Sequence, residues 1–198
     1  MRVPSRPSTE PVFQLSVEQY HAMIEAGVIT DGDPVELLEG VLVASMSKNP
    51  PHRYATRTLQ KLVEAMLPAG WSYQAQDPIT LEDGEPEPDG AVVRGADADY
   101  RTRHPRPAEI SFVIEVADTT LSRDRGIKLR SYARAGIPIY WIVNLVDRRI
   151  EVYSQPVTDA GADPAYRRID LFGSADQVPV VVGETPVGSI AVAQLLPE

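Results

Sequence analysis

Apolar positions recur along this chain in two periods, one helical and one of short unbroken runs, and their order predicts an alternating α/β chain. Val17, Tyr20, Ile24 and Val28 fall at helical spacing. Ser16 stands where an N-cap belongs, Gln19 can reach back to it, and Gly27 lies near the end, so a helix is expected from about Ser16 to Ala26. Between Pro34 and Met46 two apolar runs flank Glu39-Gly40, the pattern of a β-hairpin. Tyr54, Leu59, Leu62, Val63 and Met66 predict a second amphipathic helix over His52 to Leu67, closed by Pro68 and Gly70. Strands are expected over Trp71 to Leu81 and Ala91 to Arg94, with an acidic, proline-bearing bend between them.

The run Ile110 to Ala117 is almost unbroken in apolar character, as in a strand covered on both faces. A helix over Ser122 to Ala135, stopped by Gly136, and a second buried strand over Ile139 to Val146 follow it. Strand, helix and strand in that order imply a βαβ unit, or a mixed sheet with a crossover helix. Arg149 to Tyr153 reads as a hairpin partner across Asp147-Arg148. Val178 to Val182 and Val187 to Val192 read as short strands at a sheet edge or an oligomer contact. Residues 1–12 are polar and proline-rich, a flexible arm ahead of a single domain over 13–198.

With 198 residues and 43% hydrophobic content, the chain can bury one substantial core. No apolar run is long enough to cross a bilayer and nothing at the start resembles a signal segment, so a cytoplasmic protein without membrane contact is expected. The absence of cysteine excludes disulfides, thiolate metal sites and cysteine nucleophiles, and leaves carboxylates, three histidines and hydroxyls for chemistry. A net charge of −9 argues against a protein that coats nucleic acid. The charge is uneven, however. Carboxylates crowd Glu82 to Asp89, while Arg101, Arg103 and Arg106, then Arg123, Arg125, Lys128, Arg130 and Arg134, form basic stretches.

Glu115 interrupts the most apolar strand, and a carboxylate there must be paired, neutralised or bound to a metal. Asp89 follows Pro88 and opens Asp89-Gly90-Ala91-Val92-Val93. If the two strands are neighbours, two hard oxygen ligands meet at one sheet end, a donor set suited to Mg²⁺. The plainer alternatives are a basic partner for Glu115 and a solvated acidic turn for Asp89. Glu36 is a weaker case of the same anomaly, on a hairpin strand that can have one wet face. Lys128 can pair with Asp124 on a solvated helix face, or turn its ammonium back towards a metal to neutralise charge on phosphorus. His52 could serve as a general base or phosphate contact, or be structural; Tyr132, Tyr140 and Trp141 read as core aromatics. P-loop, dinucleotide, zinc and serine-elbow patterns are absent from the sequence.

Pro88-Asp89, then Val113-Ile114-Glu115-Val116-Ala117-Asp118-Thr119-Thr120, Asp124-Arg125-Gly126-Ile127-Lys128 and Tyr132 through Asn144 form an ordered set. Together with Glu36-Leu37-Leu38-Glu39-Gly40 and His52, they resemble the Uma-two restriction endonuclease family over roughly residues 13 to 155. That family belongs to the PD-(D/E)XK superfamily. The resemblance implies a restriction-endonuclease-like core, a mixed sheet flanked by helices, and metal-dependent phosphodiester hydrolysis. It assigns Asp89 to the Pro-Asp pair, Glu115 to the second acidic position and Glu36 to an additional upstream glutamate. Ala117 stands where the motif lysine is expected, which makes Lys128 the candidate migrated lysine.

Two readings follow. In the first, Asp89 and Glu115 hold Mg²⁺, with Mn²⁺ as a possible substitute, and Glu36 and Lys128 complete a catalytic set acting on nucleic acid, with DNA expected, in a homodimer or higher homo-oligomer. In the second, the fold is a catalytically inactive binding or homo-oligomeric assembly module, joined through its late valine-rich strands.

Overall fold

The computed structural model describes residues 11–197 except Asp31, Met46, Ser47 and Ala160. The expected N-terminal arm falls largely on residues 1–10, outside the described residues. Helix α1 (Val17–Glu25) starts on the predicted capping box: Ser16 Oγ accepts from the Gln19 amide and Gln19 Oε1 accepts from the Ser16 amide. Strands β1 (Val35–Leu38) and β2 (Val41–Ala44) form the expected hairpin. Glu39 and Gly40 both have positive φ, the backbone hand that a tight two-residue hairpin turn requires. Helix α2 (Pro50–Glu64) begins two residues earlier than expected, because Asn49 caps it by accepting from the His52 amide and a proline needs no amide partner in the first turn.

The central sheet has six strands in the order β3-β4-β5-β6-β7-β8: β3 (Trp71–Gln74), β4 (Gly90–Arg94), β5 (Ile110–Ala117), β6 (Ile139–Asn144), β7 (Arg149–Pro156) and β8 (Tyr166–Gly173). Only β5 and β6 run parallel, and the segment between them is the crossover that a parallel pair needs. All eight residues of β5 are buried, as its unbroken apolar run requires. Apolar side chains cover it on both faces. One layer gathers α2 residues Ala55, Leu59 and Val63 with Phe112, Ile114 and Trp141; the other gathers Val113, Ala117, Tyr132, Tyr140 and Ile142.

Four expectations need correction. Strand β3 stops at Gln74 rather than Leu81, because Gln76 takes a positive φ and Pro78 follows it. The helix expected over Ser122 to Ala135 is broken by a kink at Gly126 (φ −106°, ψ −105°) inside the turn Asp124–Lys128, which separates α3 (Leu121–Arg123) from α4 (Leu129–Arg134). Strand β8 was not foreseen. The valine strands β9 (Gln177–Val182) and β10 (Thr185–Ala191) are not an edge of the main sheet: they form a separate hairpin whose Val178, Val180, Val182 and Ile190 are buried in the α2-side layer. Their apolar face is thus occupied within the chain, which removes the reason for placing an oligomer contact there.

Candidate functional site

The β4–β5 register sets Gly90 level with Ile114, so Asp89 enters the sheet beside Glu115. Asp89 Oδ2 accepts from the amide of Val116, the residue after Glu115, at 2.9 Å, and from His52 Nε2 at 3.0 Å; Oδ1 accepts from Gln76 Nε2 at 3.3 Å. Gly90 makes this packing possible, because a Cβ there would lie 1.9 Å from the Tyr73 hydroxyl. Asp89 is therefore buried, against the solvated-turn alternative. Burial opposes its ionisation, but the His52 contact, the Val116 amide and nearby Lys48 outweigh that cost and hold the carboxyl below its ordinary value.

Glu115 Oε1 accepts from Lys128 Nζ at 2.8 Å and from the Tyr132 hydroxyl at 2.6 Å. Lys128 Nζ also lies 3.2 Å from Glu36 Oε2, and Arg123 Nη1 lies 3.6 Å from Glu36 Oε1. Lys128 is only 5% exposed, so the solvated-face reading fails. Asp124 and Lys128, four residues apart on one face of the crossover, are both buried, and that face meets Glu115 and Glu36. Burial pushes Glu115 up to about 8; Lys128 offsets this only in part, and the neighbouring Asp124, Asp89 and Glu36 carboxylates add to it. Burial also opposes the charge on Lys128, but Glu115 and Glu36 prevail and hold its ammonium above the ordinary lysine value. Asp124, buried and accepting from Thr120 Oγ1 at 2.6 Å, is pushed up to about 6, chiefly by desolvation.

Glu36, His52, Asp89, Glu115 and Lys128 all line one cavity of about 80 Å³, room for an ion with some of its water. Glu87, Asp118, Asp124, Lys48 and Arg123 line it too. Six carboxyl groups thus face three permanent cations, an excess of acidic groups in a cavity whose floor, Glu36, Asp89, Glu115, Asp124 and Lys128, is buried and whose rim, Lys48 and Glu87, is exposed. Such an excess is complementary to a hard cation. Among the described residues, no group of three His, Asp or Glu side chains is arranged to hold a metal ion. A divalent ion here would have the Asp89 and Glu115 carboxylates and complete its shell from water and substrate oxygens, which is how Mg²⁺ is commonly bound. The donor set fits on those terms.

Sequence reasoning missed three participants. Tyr132, read as a core aromatic, is buried but directs its hydroxyl at Glu115; its position four residues after Lys128 was the available signal. Asn49 both caps α2 and donates to Asp118, joining the helix start to the end of the β5 segment. Arg123 reaches Glu36 from the crossover. The basic stretch from Arg123 to Arg134 is not a free cationic face, since Arg125 bonds Glu151 and both Arg130 and Arg134 bond Glu39.

The family model described as "Uma2: Putative restriction endonuclease" matches residues 17–182, from the start of α1 to the end of β9. The chain belongs to the Uma2 family. Its fold is also that of a solved structure described as a putative nuclease belonging to DUF820 from Anabaena variabilis ATCC 29413: TM-score 0.70, 13% identity, over 91% of this chain and 97% of the other. No curated protein matches the chain. The restriction-endonuclease-like fold class expected from the sequence is thus shown, and among the described residues no helix is long and apolar enough to cross a membrane.

Proposed function

We propose that this Uma2 chain is a metal-dependent endonuclease acting on DNA, with its active site in the cavity between the β4–β5 strand ends and the α3–α4 crossover, inside a single domain over residues 13–198. One observation carries the reading: Glu115 is buried at the centre of the sheet, pushed up to about 8, and faces a cavity whose carboxylates outnumber its cations. A structural glutamate would be fully neutralised there; an ion-binding one is left in deficit.

Asp89 and Glu115 would hold Mg²⁺, or Mn²⁺ in its place, which supplies Lewis-acid polarisation of the phosphate. His52 and the Val116 amide fix the orientation of Asp89, and Tyr132 fixes that of Glu115. Lys128 carries a proton throughout, so its ammonium counters the charge that develops on the phosphate oxygens during attack. Glu36 holds Lys128 from the other side and can orient the attacking water. Lys48 and Arg123, partly exposed at the cavity, supply positive charge for the flanking phosphates of the substrate, on a chain whose net charge overall is −9.

The test is cleavage of supercoiled and linear DNA by the purified chain with Mg²⁺. Glu115→Ala is expected to abolish cleavage while leaving the circular dichroism spectrum unchanged. Cleavage that survives this substitution in a clean preparation rejects the assignment.

A further inference from the structure

The two edges of the central sheet differ. Strand β3 is four residues long, whereas β8 runs for eight residues and, among the described residues, pairs only with β7. Long open edges with exposed apolar side chains are templates for further pairing, and chains that avoid this shorten, cover or charge them. Here Ile169 is 50% exposed and Leu171 53% exposed. Strand β8 carries charge as well, but of both signs: Arg168 and Asp170 lie on one face, joined at 2.7 Å.

We propose that β8 is a homodimer interface, pairing antiparallel with β8 of a second copy about a two-fold axis at Ile169. Charge pairing selects the register: among the residues of β8, only Ile169 as the centre sets opposite charges directly across the axis. A two-fold that keeps the same face of both sheets up must be centred on one residue of the strand. Centring it on Arg168 or Asp170 sets like charges directly opposite, which is destabilising. Centring it on Ile169 sets Ile169 against its own copy, and Arg168 against the partner's Asp170 on both sides of the axis. The two intrachain Arg168–Asp170 pairs then merge into one four-charge cluster on one face, while the exposed isoleucines cover each other on the other. The two copies make one continuous twelve-stranded sheet with both Glu115 cavities on the same face. The occupant is a second copy because the strand is complementary to itself, a property that an unrelated partner strand does not require. This interface is independent of whether the chain cleaves nucleic acid.

The experiment is light scattering on size-exclusion-purified full chain, wild type beside Asp170→Arg and the charge-swapped double variant Arg168→Asp/Asp170→Arg. The expected masses are twice the 21.7 kDa chain for wild type, one chain for Asp170→Arg, and twice again for the double variant, whose swapped charges restore complementarity. Hydrogen exchange on the wild type serves as a control free of any substitution: amides from Arg167 to Leu171 should be protected in the concentrated protein and lose that protection on dilution. A monomeric wild type, a dimer unaffected by Asp170→Arg, a double variant that stays monomeric, or β8 amides whose exchange ignores concentration would each overturn the proposal.

Discussion

Two glutamates lie in one row of the central sheet and meet opposite fates. Glu115 on β5 is level with Ile142 on β6, which is level with Glu151 on β7, and the two carboxylates are 4% and 1% exposed. Glu151 accepts from Arg125 Nε at 3.0 Å, Asn144 Nδ2 at 2.8 Å, Arg149 Nε at 3.2 Å and the Tyr153 hydroxyl at 2.8 Å. Burial opposes its ionisation, yet these donors lower its carboxyl to about 2. Glu115 has one lysine and one tyrosine, and shares the lysine with Glu36. Its carboxyl rises to about 8. Low exposure on one sheet therefore does not decide a carboxylate's role: Glu115 lies deeper and meets fewer donors, whereas Glu151 lies nearer the surface and meets more. One is a completed structural network, the other a site short of positive charge.

The largest expected effect that separates them is on catalysis. Glu115→Gln should lower the initial rate of DNA cleavage by about 10³-fold or more, the scale of losing several kcal/mol of transition-state stabilisation. Glu151→Gln should leave the rate of the folded fraction unchanged. If both substitutions reduce cleavage equally, the distinction between the two glutamates fails.

Next in size is stability at the Lys128 ammonium. Lys128→Met leaves the Glu36 carboxylate buried without its cation and takes a hydrogen-bond donor from Glu115, and should cost about 3–5 kcal/mol in urea unfolding. Adding Glu115→Gln to that variant should recover little of the loss at neutral pH, because the native Glu115 carboxyl already holds its proton there. Glu151→Gln should cost less, about 1–3 kcal/mol, since Arg125 and Arg149 are each about a third exposed and can turn to water.

The pH dependence sharpens the contrast further. Below pH 4.5 the Glu115 carboxyl is protonated folded or unfolded; between 4.5 and about 8 only the native state keeps the proton. Metal-free stability should therefore fall as pH rises through that window, and Glu115→Gln should flatten the slope in thermal melts. Glu151 acts in the other direction. Its lowered carboxyl contributes stability above pH 4.5 that disappears as pH falls towards 2, and Glu151→Gln should remove that acid dependence.

Much of this was legible in the chain. Eight consecutive buried positions made β5 readable to the residue, and the capping box did the same for the start of α1. Glu115 could be singled out because a carboxylate inside such a run needs a partner; whether that is a basic side chain or a metal stayed open in the sequence, and the structure supplies the basic side chain, Lys128. Asp89 could not be placed by its neighbours alone, since its contacts come from His52, Gln76 and Val116, remote in sequence. The crossover reads as one continuous helix because the apolar spacing does not register the kink at Gly126, and Asp124 and Lys128 are buried against the sheet ends rather than on a wet face. Strand β8 escaped because Tyr166-Arg167-Arg168-Ile169-Asp170 mixes charge with apolar residues, as an edge strand with wet surfaces does.

The most direct measurement is a calorimetric titration of the metal-free chain with Mn²⁺, standing in for Mg²⁺, repeated on Asp89→Ala, Glu115→Ala and Glu151→Gln. The account predicts binding by the native chain and by Glu151→Gln, none by the other two, and a heat that varies with the buffer near neutral pH as Glu115 releases its proton. A native chain that binds no Mn²⁺, or binding that persists in both Asp89→Ala and Glu115→Ala, would contradict it.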